Sequence, residues 1–399
     1  MIVEIMIALA LGVIIGIVTG LTPGIHVNLV GTSLFALSPF LLNYLEPLSL
    51  AVFIISLSVT HSFLDTIPSI YLGAPENENA LSILPGQKML LQGKAHQAVK
   101  ITILGTYIGM IVAIILIPLF MFTAKIIFDF LKPYLVYLLI TLMTYMILKE
   151  SKKYWSFFLF MISGTLGILV FSIPNLNEPL FPLLSGLFGV SGLMISYFEN
   201  TNIPKQEITS IIRLKTKELA KAILGSSIAV FFIQFFPGLG PAQGAVISSQ
   251  IIKDVKDRGY LALVGAMGTM SVVFSLVTFY VLGKAKDGTI VVISKLLEIN
   301  LNYFLILILV FLVAGSISVF LTLWFSKKFS DLIVKVNYKA LIITIISFIF
   351  IMSILLNGWI GIIVLLTATA IGLIAPLKCI GRNHAMGCLI LPVIMYFIL

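Results

Sequence analysis

Gly20-Leu21-Thr22-Pro23-Gly24-Ile25-His26-Val27-Asn28 ends the first apolar segment of the chain. Phe235-Phe236-Pro237-Gly238-Leu239-Gly240-Pro241-Ala242-Gln243-Gly244 ends another in the second half. In both places a Pro-Gly pair closes one apolar run and opens a shorter one, over 25–43 and 239–252. Proline removes a backbone donor and glycine lifts the side-chain limit on φ, so the pair breaks a helix. In hydrocarbon the freed N–H and C=O groups are costly unless protein or a watery cavity receives them. A broken helix also turns an N-terminus, with its partial positive charge and unpaired N–H groups, toward the membrane interior, where it suits an anion. Two such breaks, one per half, are the pattern expected of a transport site near the bilayer midplane.

The rest of the chain supplies the membrane. Of 399 residues, 60% are apolar and only 10% are charged, and the mean hydropathy is +1.15. Soluble domains carry about a quarter charged residues. A span needs about 20 mostly apolar residues. Such stretches stand at 2–20, 49–72, 101–124, 133–149, 155–172, 181–198, 219–236, 259–282, 301–325, 338–357, 359–376 and 383–398. The composition therefore predicts an all-α, polytopic transmembrane protein of the cell membrane. The first segment reads as a span rather than a signal peptide, because it lacks a positive leader and carries Glu4. No polar stretch is long enough for a soluble domain, and no P-loop supplies an ATP motor. Cys379 and Cys388 read as packing residues rather than a disulfide or metal pair, and no metal or cofactor site is expected. The net charge of +9 reads as loop lysines set by the positive-inside rule, not as a nucleic-acid surface.

The two halves fall over each other at a nearly constant offset. The segments 49–72 and 259–282 both end in a polar turn, Tyr71-Leu72-Gly73-Ala74-Pro75-Glu76 and Tyr280-Val281-Leu282-Gly283-Lys284-Ala285-Lys286-Asp287. Their loop charges are swapped. In the first half Lys149, Lys152 and Lys153 make a basic loop between a nearly neutral one (Lys125, Asp129, Lys132) and one without Lys or Arg (173–181). In the second half basic loops (Lys327 to Lys339, and Lys378 with Arg382) flank the uncharged 356–361. A repeat that swaps its basic loops has flipped in the membrane. Inverted repeats follow, over 1–200 and 218–399 with a basic connection at 201–217, and with the N-terminus outside. One observation resists this scheme. The turns after both third segments carry lysines (Lys88, Lys94, Lys100; Lys284, Lys286), and inverted halves cannot place both inside.

Polar residues follow the breaks: His26, Asn28 and Thr32 in the first half, Gln243, Ser248 and Ser249 in the second. Neutral imidazole and amides orient a ligand without the cost of a buried charge. His26 either binds in this way, or titrates as a proton-coupling group, or bonds a nearby carbonyl. Pro23, Gly24, His26, Asn28, Pro237, Gly238, Gly240 and Gln243 are the candidate solute-binding residues. Lys284 and Lys286 join them, attracting an anion or pairing with the acidic turn at Glu76. Ser58, His61, Ser62 and Asp65 share one helical face. His61, Asp65 and Glu76 are the candidates for coupling to Na⁺ or H⁺, since an ionisable residue inside a span points to function. The chain has no metalloprotease spacing and no marked nucleophile, so it is not expected to be an enzyme. The competing expectation is translocation of an anionic lipid such as a polyprenyl phosphate, to which paired helix N-termini are equally suited.

At these residues the chain resembles the TctA family, the large membrane subunit of tripartite tricarboxylate transporters. Pro237-Gly238-Leu239-Gly240-Pro241 matches that family's Pro-Gly-Leu-Gly-Pro motif, and Gly73-Ala74-Pro75-Glu76 through Gln92-Gly93-Lys94-Ala95 is similar to its first-half region. His61-Ser62-Phe63-Leu64-Asp65 replaces the Tyr-Gly-Gly-Ser stretch of bacterial members. The Pro-Gly-x-His-x-Asn form at Pro23 to Asn28 looks like the shorter, archaeal-type branch. The resemblance implies citrate-like carboxylate substrates, ion coupling, a small membrane subunit and an extracytoplasmic binding protein. A homodimer is also compatible with the sequence.

Overall fold

The computed structural model describes residues 2–22, 34, 40–73, 83–174, 176, 178–198, 203–209, 211–235, 240–252, 255–335 and 338–398. These residues form helices and turns without a strand. The first half holds α1 (Ile2–Leu21), α2 (Pro47–Leu72), α3 (Ile83–Leu91), α4 (Ala95–Ile115), α5 (Ile117–Leu131), α6 (Leu135–Lys149), α7 (Lys153–Ser172) and α8 (Leu180–Phe198). The second holds α9 (Thr216–Ile233), α10 (Pro241–Ile251), α11 (Asp257–Leu282), α12 (Gly288–Leu296), α13 (Leu301–Ile333), α14 (Tyr338–Gly372), α15 (Ile374–Lys378) and α16 (Gly387–Ile398). Among the described residues, 8 helices are long and apolar enough to cross a membrane. The chain is thus a multi-pass membrane protein.

Three boundaries differ from the sequence reading. The stretch 101–124 divides at Leu116, and Pro118 sits in the first turn of α5, where its missing N–H is harmless. The expected span 301–325 runs on to Ile333. The short helices α3 and α12, not read from sequence, follow the turns after α2 and α11.

Close packing fixes the direction of each helix. Gly12, Gly16 and Gly20 of α1 lie so near Ser56, Thr60 and Leu64 of α2 that a Cβ on any of them would collide. Both series rise together, so α1 and α2 are parallel. The second half repeats this. Ser226 of α9 donates to the Leu263 carbonyl of α11 at 3.0 Å, and Gln234 to that of Ser271 at 2.6 Å, so these helices are also parallel. The returning α10 has 11 residues, about 16 Å of helix against a hydrocarbon core of ~30 Å. It is a half-span.

Each half packs into the other reciprocally. α4 of the first lies along α11 of the second, and α13 of the second along α2 of the first. Gly105 and Gly109 meet Ala262 and Ala266, which makes α4 parallel to α11. Met110 meets Gly315 while His96 bonds Ser326, which makes α4 antiparallel to its counterpart α13. The outer pairs follow the same rule, α7 on α16 and α14 on α8. Small residues at such seams are how helices gain contact where lipid leaves little hydrophobic drive. The arrangement fits two inverted halves.

α14 is two legs. Gly358 has φ 59° and ψ −152°, and a Cβ on Gly361 would strike the Ser353 carbonyl. Those residues would lie about 12 Å apart along a straight helix, so the chain reverses at Gly358. The two spans expected at 338–357 and 359–376 are the legs of this hairpin. Asn357 fastens its tip by exchanging two 3.1 Å hydrogen bonds with the backbone of Glu178.

Several of the described lysines and arginines gather at one end of the bundle. Lys88 pairs with Asp257 at 2.6 Å, Lys100 donates to the Thr209 carbonyl, and Arg258 to that of Arg213. The strap between the halves lies there too. Gln206 accepts from Ala95 N and donates to the Leu90 carbonyl, while Glu207 N donates to the Gly93 carbonyl.

Candidate functional site

The first legs of the broken segments are each latched to a third segment just before the break. In the first half the His61 Nδ1 of α2 meets Thr19 Oγ1 of α1 at 3.1 Å, both buried. In the second the latch is Gln234 to Ser271. The same spacing separates His61 from Ser271 and Gly73 from Gly283. These two glycines end α2 and α11 with φ of 65° and 64°, a left-handed closure that favours glycine. The sequence motifs had pointed to the breaks. The latches, Thr19 and Gln234, were missed, although each lies three or four residues before its proline on the buried face.

Pro23, Gly24, His26, Asn28, Glu76, Pro237 and Gly238 lie outside the described residues. The others are placed. Gly240 is the extended residue before α10, and its N–H donates to the Gln243 side chain at 2.8 Å, closing the first turn with a buried amide. Gly244 packs on Ile233, so this turn stands against the end of α9. Lys286 comes to the same place, its Nζ donating to the Ile233 carbonyl. Lys284 Nζ sits 4.2 Å above the Phe128 ring, and Phe128 neighbours Phe235. The structure therefore brings Gly240, Gln243 and Lys286 together, with Lys284 on the aromatic group beside them. His61 and Asp65 stand apart on α2, Asp65 only 2% exposed at the point where Pro68 widens the last turn into a π-helix.

This accounts for the lysines that defied the loop-charge pattern. The turns after α2 and α11 lie at opposite ends of the 33-residue α13. Tyr71 bonds Ser330 at its C-terminal end at 2.6 Å, and Tyr280 stacks on Phe304 at its N-terminal end. Lys284 and Lys286 are thus at the end away from the basic loops, held by an aromatic ring and a helix-terminal carbonyl. Burial pushes the Lys286 ammonium down to about 7, with the Asp287 carboxylate pulling the other way. Asp287 itself caps α12 by accepting from Thr289 N, and Ser275 accepts from the backbone N–H groups of Lys286 and Asp287. The turn is a built structure, not a loose loop.

Hydroxyls connect the halves elsewhere. Ser58 meets Thr289 at 2.9 Å, Ser318 donates to Thr60, and Thr269 donates to the Thr106 carbonyl. Near the basic end His96 Nδ1 meets Ser326 at 2.8 Å, beside Tyr71 and Ser330. Sequence reasoning passed over this stripe, yet Ser318, Thr322, Ser326 and Ser330 recur at every fourth position of α13, all buried.

Buried polar latches near the ends of α1 and α9, sheathed in apolar helices, suit a membrane transport architecture. The chain belongs to the tripartite tricarboxylate transporter TctA family, whose sequence pattern matches residues 6–387. It is a membrane transporter, of a family that works with other subunits in tripartite systems. An uncharacterized protein of Methanocaldococcus jannaschii is 32% identical over 401 residues, covering 98% of each chain. No solved structure matches the chain.

Proposed function

We propose that this protein is an ion-coupled secondary transporter of an anionic, carboxylate-bearing solute, bound between its two Pro-Gly segments and moved by alternating access. The observation that carries the reading is the convergence at the end of α9. There Lys286, the N-terminal turn of α10 and the buried Gln243 amide meet immediately beside Pro237-Gly238 in the chain. A helix N-terminus and an ammonium in a low-dielectric setting attract a carboxylate and give it a fixed orientation. Pro23, Gly24, His26 and Asn28 supply the facing half of the site in this reading. His61, Asp65 and Glu76 carry the coupling to Na⁺ or H⁺. The family's description supports tricarboxylate-type substrates and a tripartite assembly, whose other members in this reading are a small membrane subunit and a binding protein. Reciprocal packing of the halves supports rocking of one against the other.

The test is uptake into proteoliposomes under imposed Na⁺ and pH gradients, with citrate-like carboxylates in one arm and a polyprenyl phosphate in the other. Carboxylate uptake that follows a gradient, and that disappears in Gly24→Leu and Gly238→Leu, is expected. Lipid movement alone would make the protein a translocase instead. Carboxylate uptake untouched by both substitutions would remove the Pro-Gly site.

A further inference from the structure

A small polar cavity lies between α2, α4 and α11, lined by Ser62, Thr66, Thr106, Gly265, Gly268 and Thr269. It has room for about one water-sized particle, and a di- or tricarboxylate cannot enter it. Its walls are fixed. The α4–α11 seam is packed backbone to backbone, with Gly105 on Ala262 and Gly265 on Thr102.

The hydrogens of two lining hydroxyls are already committed. Thr106 Oγ1 donates to the Thr102 carbonyl at 2.9 Å, and Thr269 Oγ1 to the Thr106 carbonyl at 2.9 Å. A hydroxyl carries a single hydrogen. What these oxygens still offer is lone pairs, which repel an anion and suit a hard cation. Neutral oxygens alone do not offset the dehydration of an ion. The buried Asp65 carboxyl, one residue before Thr66 and three after Ser62, stands on the same turn of α2, the acidic group next to these oxygens in the chain. The site also joins the halves, taking Ser62, Thr66 and Thr106 from the first and Thr269 from the second.

We infer that this cavity binds a dehydrated alkali-metal cation, held by the Thr106 and Thr269 hydroxyl oxygens with Ser62 and Thr66 opposite them. Its role as the coupling ion rests on the transport reading; its binding does not. Occupancy ties α2 to α11 across the seam between the halves, so the cation fastens the arrangement described above.

The experiment is thermal unfolding of the detergent-solubilised full chain, without any anionic solute, in NaCl, KCl, LiCl and choline chloride at equal ionic strength. At least one alkali cation should raise the unfolding midpoint above that in choline, with a saturating concentration dependence. Thr106→Val and Thr269→Val keep the side-chain volume and should lose that rise while unfolding normally in choline. Thr367→Val, whose hydroxyl bonds only its own helix on an exposed face, should keep it. Equal midpoints in all four salts, as for a cavity that holds only water, would overturn the inference. So would a cation-dependent rise that survives in both valine variants. The readout involves no transport, so the failure of carboxylate uptake would leave a positive result standing.

Discussion

Lys286 shows how one residue can defy a loop-charge pattern. As a loop lysine it contradicted the charge pattern of inverted halves; as a side chain on the Ile233 carbonyl it is part of the interior. Its depressed pKa gives a signed prediction. Between about 7 and the ordinary 10.5, the folded protein holds a neutral amine where the unfolded chain holds an ammonium. Folding stability from this group therefore rises with pH across that window. Attraction for an anion moves the other way, falling as pH rises through about 7. Carboxylate counterflow, measured without any imposed gradient, should decline between about pH 6 and 8. Lys286→Arg should flatten the profile, because guanidinium stays charged. An unchanged profile in the arginine variant would detach Lys286 from the solute. Sequence alone singles out His61, Asp65, Gln243 and both lysines as candidates. Their partners were not, since Thr19, Ile233 and Phe128 become neighbours only through helix packing.

The elements themselves were largely written in hydropathy, and their interruptions in glycine and proline. Tyr338 to Gly372 is the informative case. Apolar content would allow a single long helix, and the sequence reading places two spans there, 338–357 and 359–376, by length alone. The structure gives the stronger reason, a left-handed Gly358 at the tip. Gly358→Ala should cost about 1–3 kcal/mol, seen as a lower unfolding midpoint, with a further loss when Asn357 is replaced by Ala. A variant as stable as the parent would mean the hairpin tip tolerates another turn. Small residues were harder to read. Gly12, Gly16 and Gly20 advertise a close helix contact, but nothing in their spacing names α2 as the partner or the pair as parallel. Likewise the apolar run through Pro118 concealed the division between α4 and α5, because proline in a first turn leaves hydropathy unchanged.

At the scale of the molecule, the loop charges and the packing directions agree without depending on each other. The basic end of the bundle is cytoplasmic under the positive-inside rule, which puts the N-terminus and Lys284 outside. Cysteine labelling tests this. With Cys379 and Cys388, both free, replaced by serine, an impermeant maleimide on intact cells should modify Lys284→Cys. It should reach Lys328→Cys only after permeabilisation, and the opposite result would invert the protein. Charge and Pro-Gly breaks that repeat visibly point to two halves in the sequence, and the packing fits them. The sequence did not carry their interlocking, which depends on which glycine seam meets which. The strap at 203–209 joins the two halves at the basic end. Gln206 and Glu207 are pinned to Leu90, Gly93 and Ala95 by hydrogen bonds, so this part of the connection is fastened to the first half. Thr209 is held by Lys100 of the first half and Arg213 by Arg258 of the second, so in the proposed alternating-access cycle the spacing of these two anchors sets how far the second half can swing.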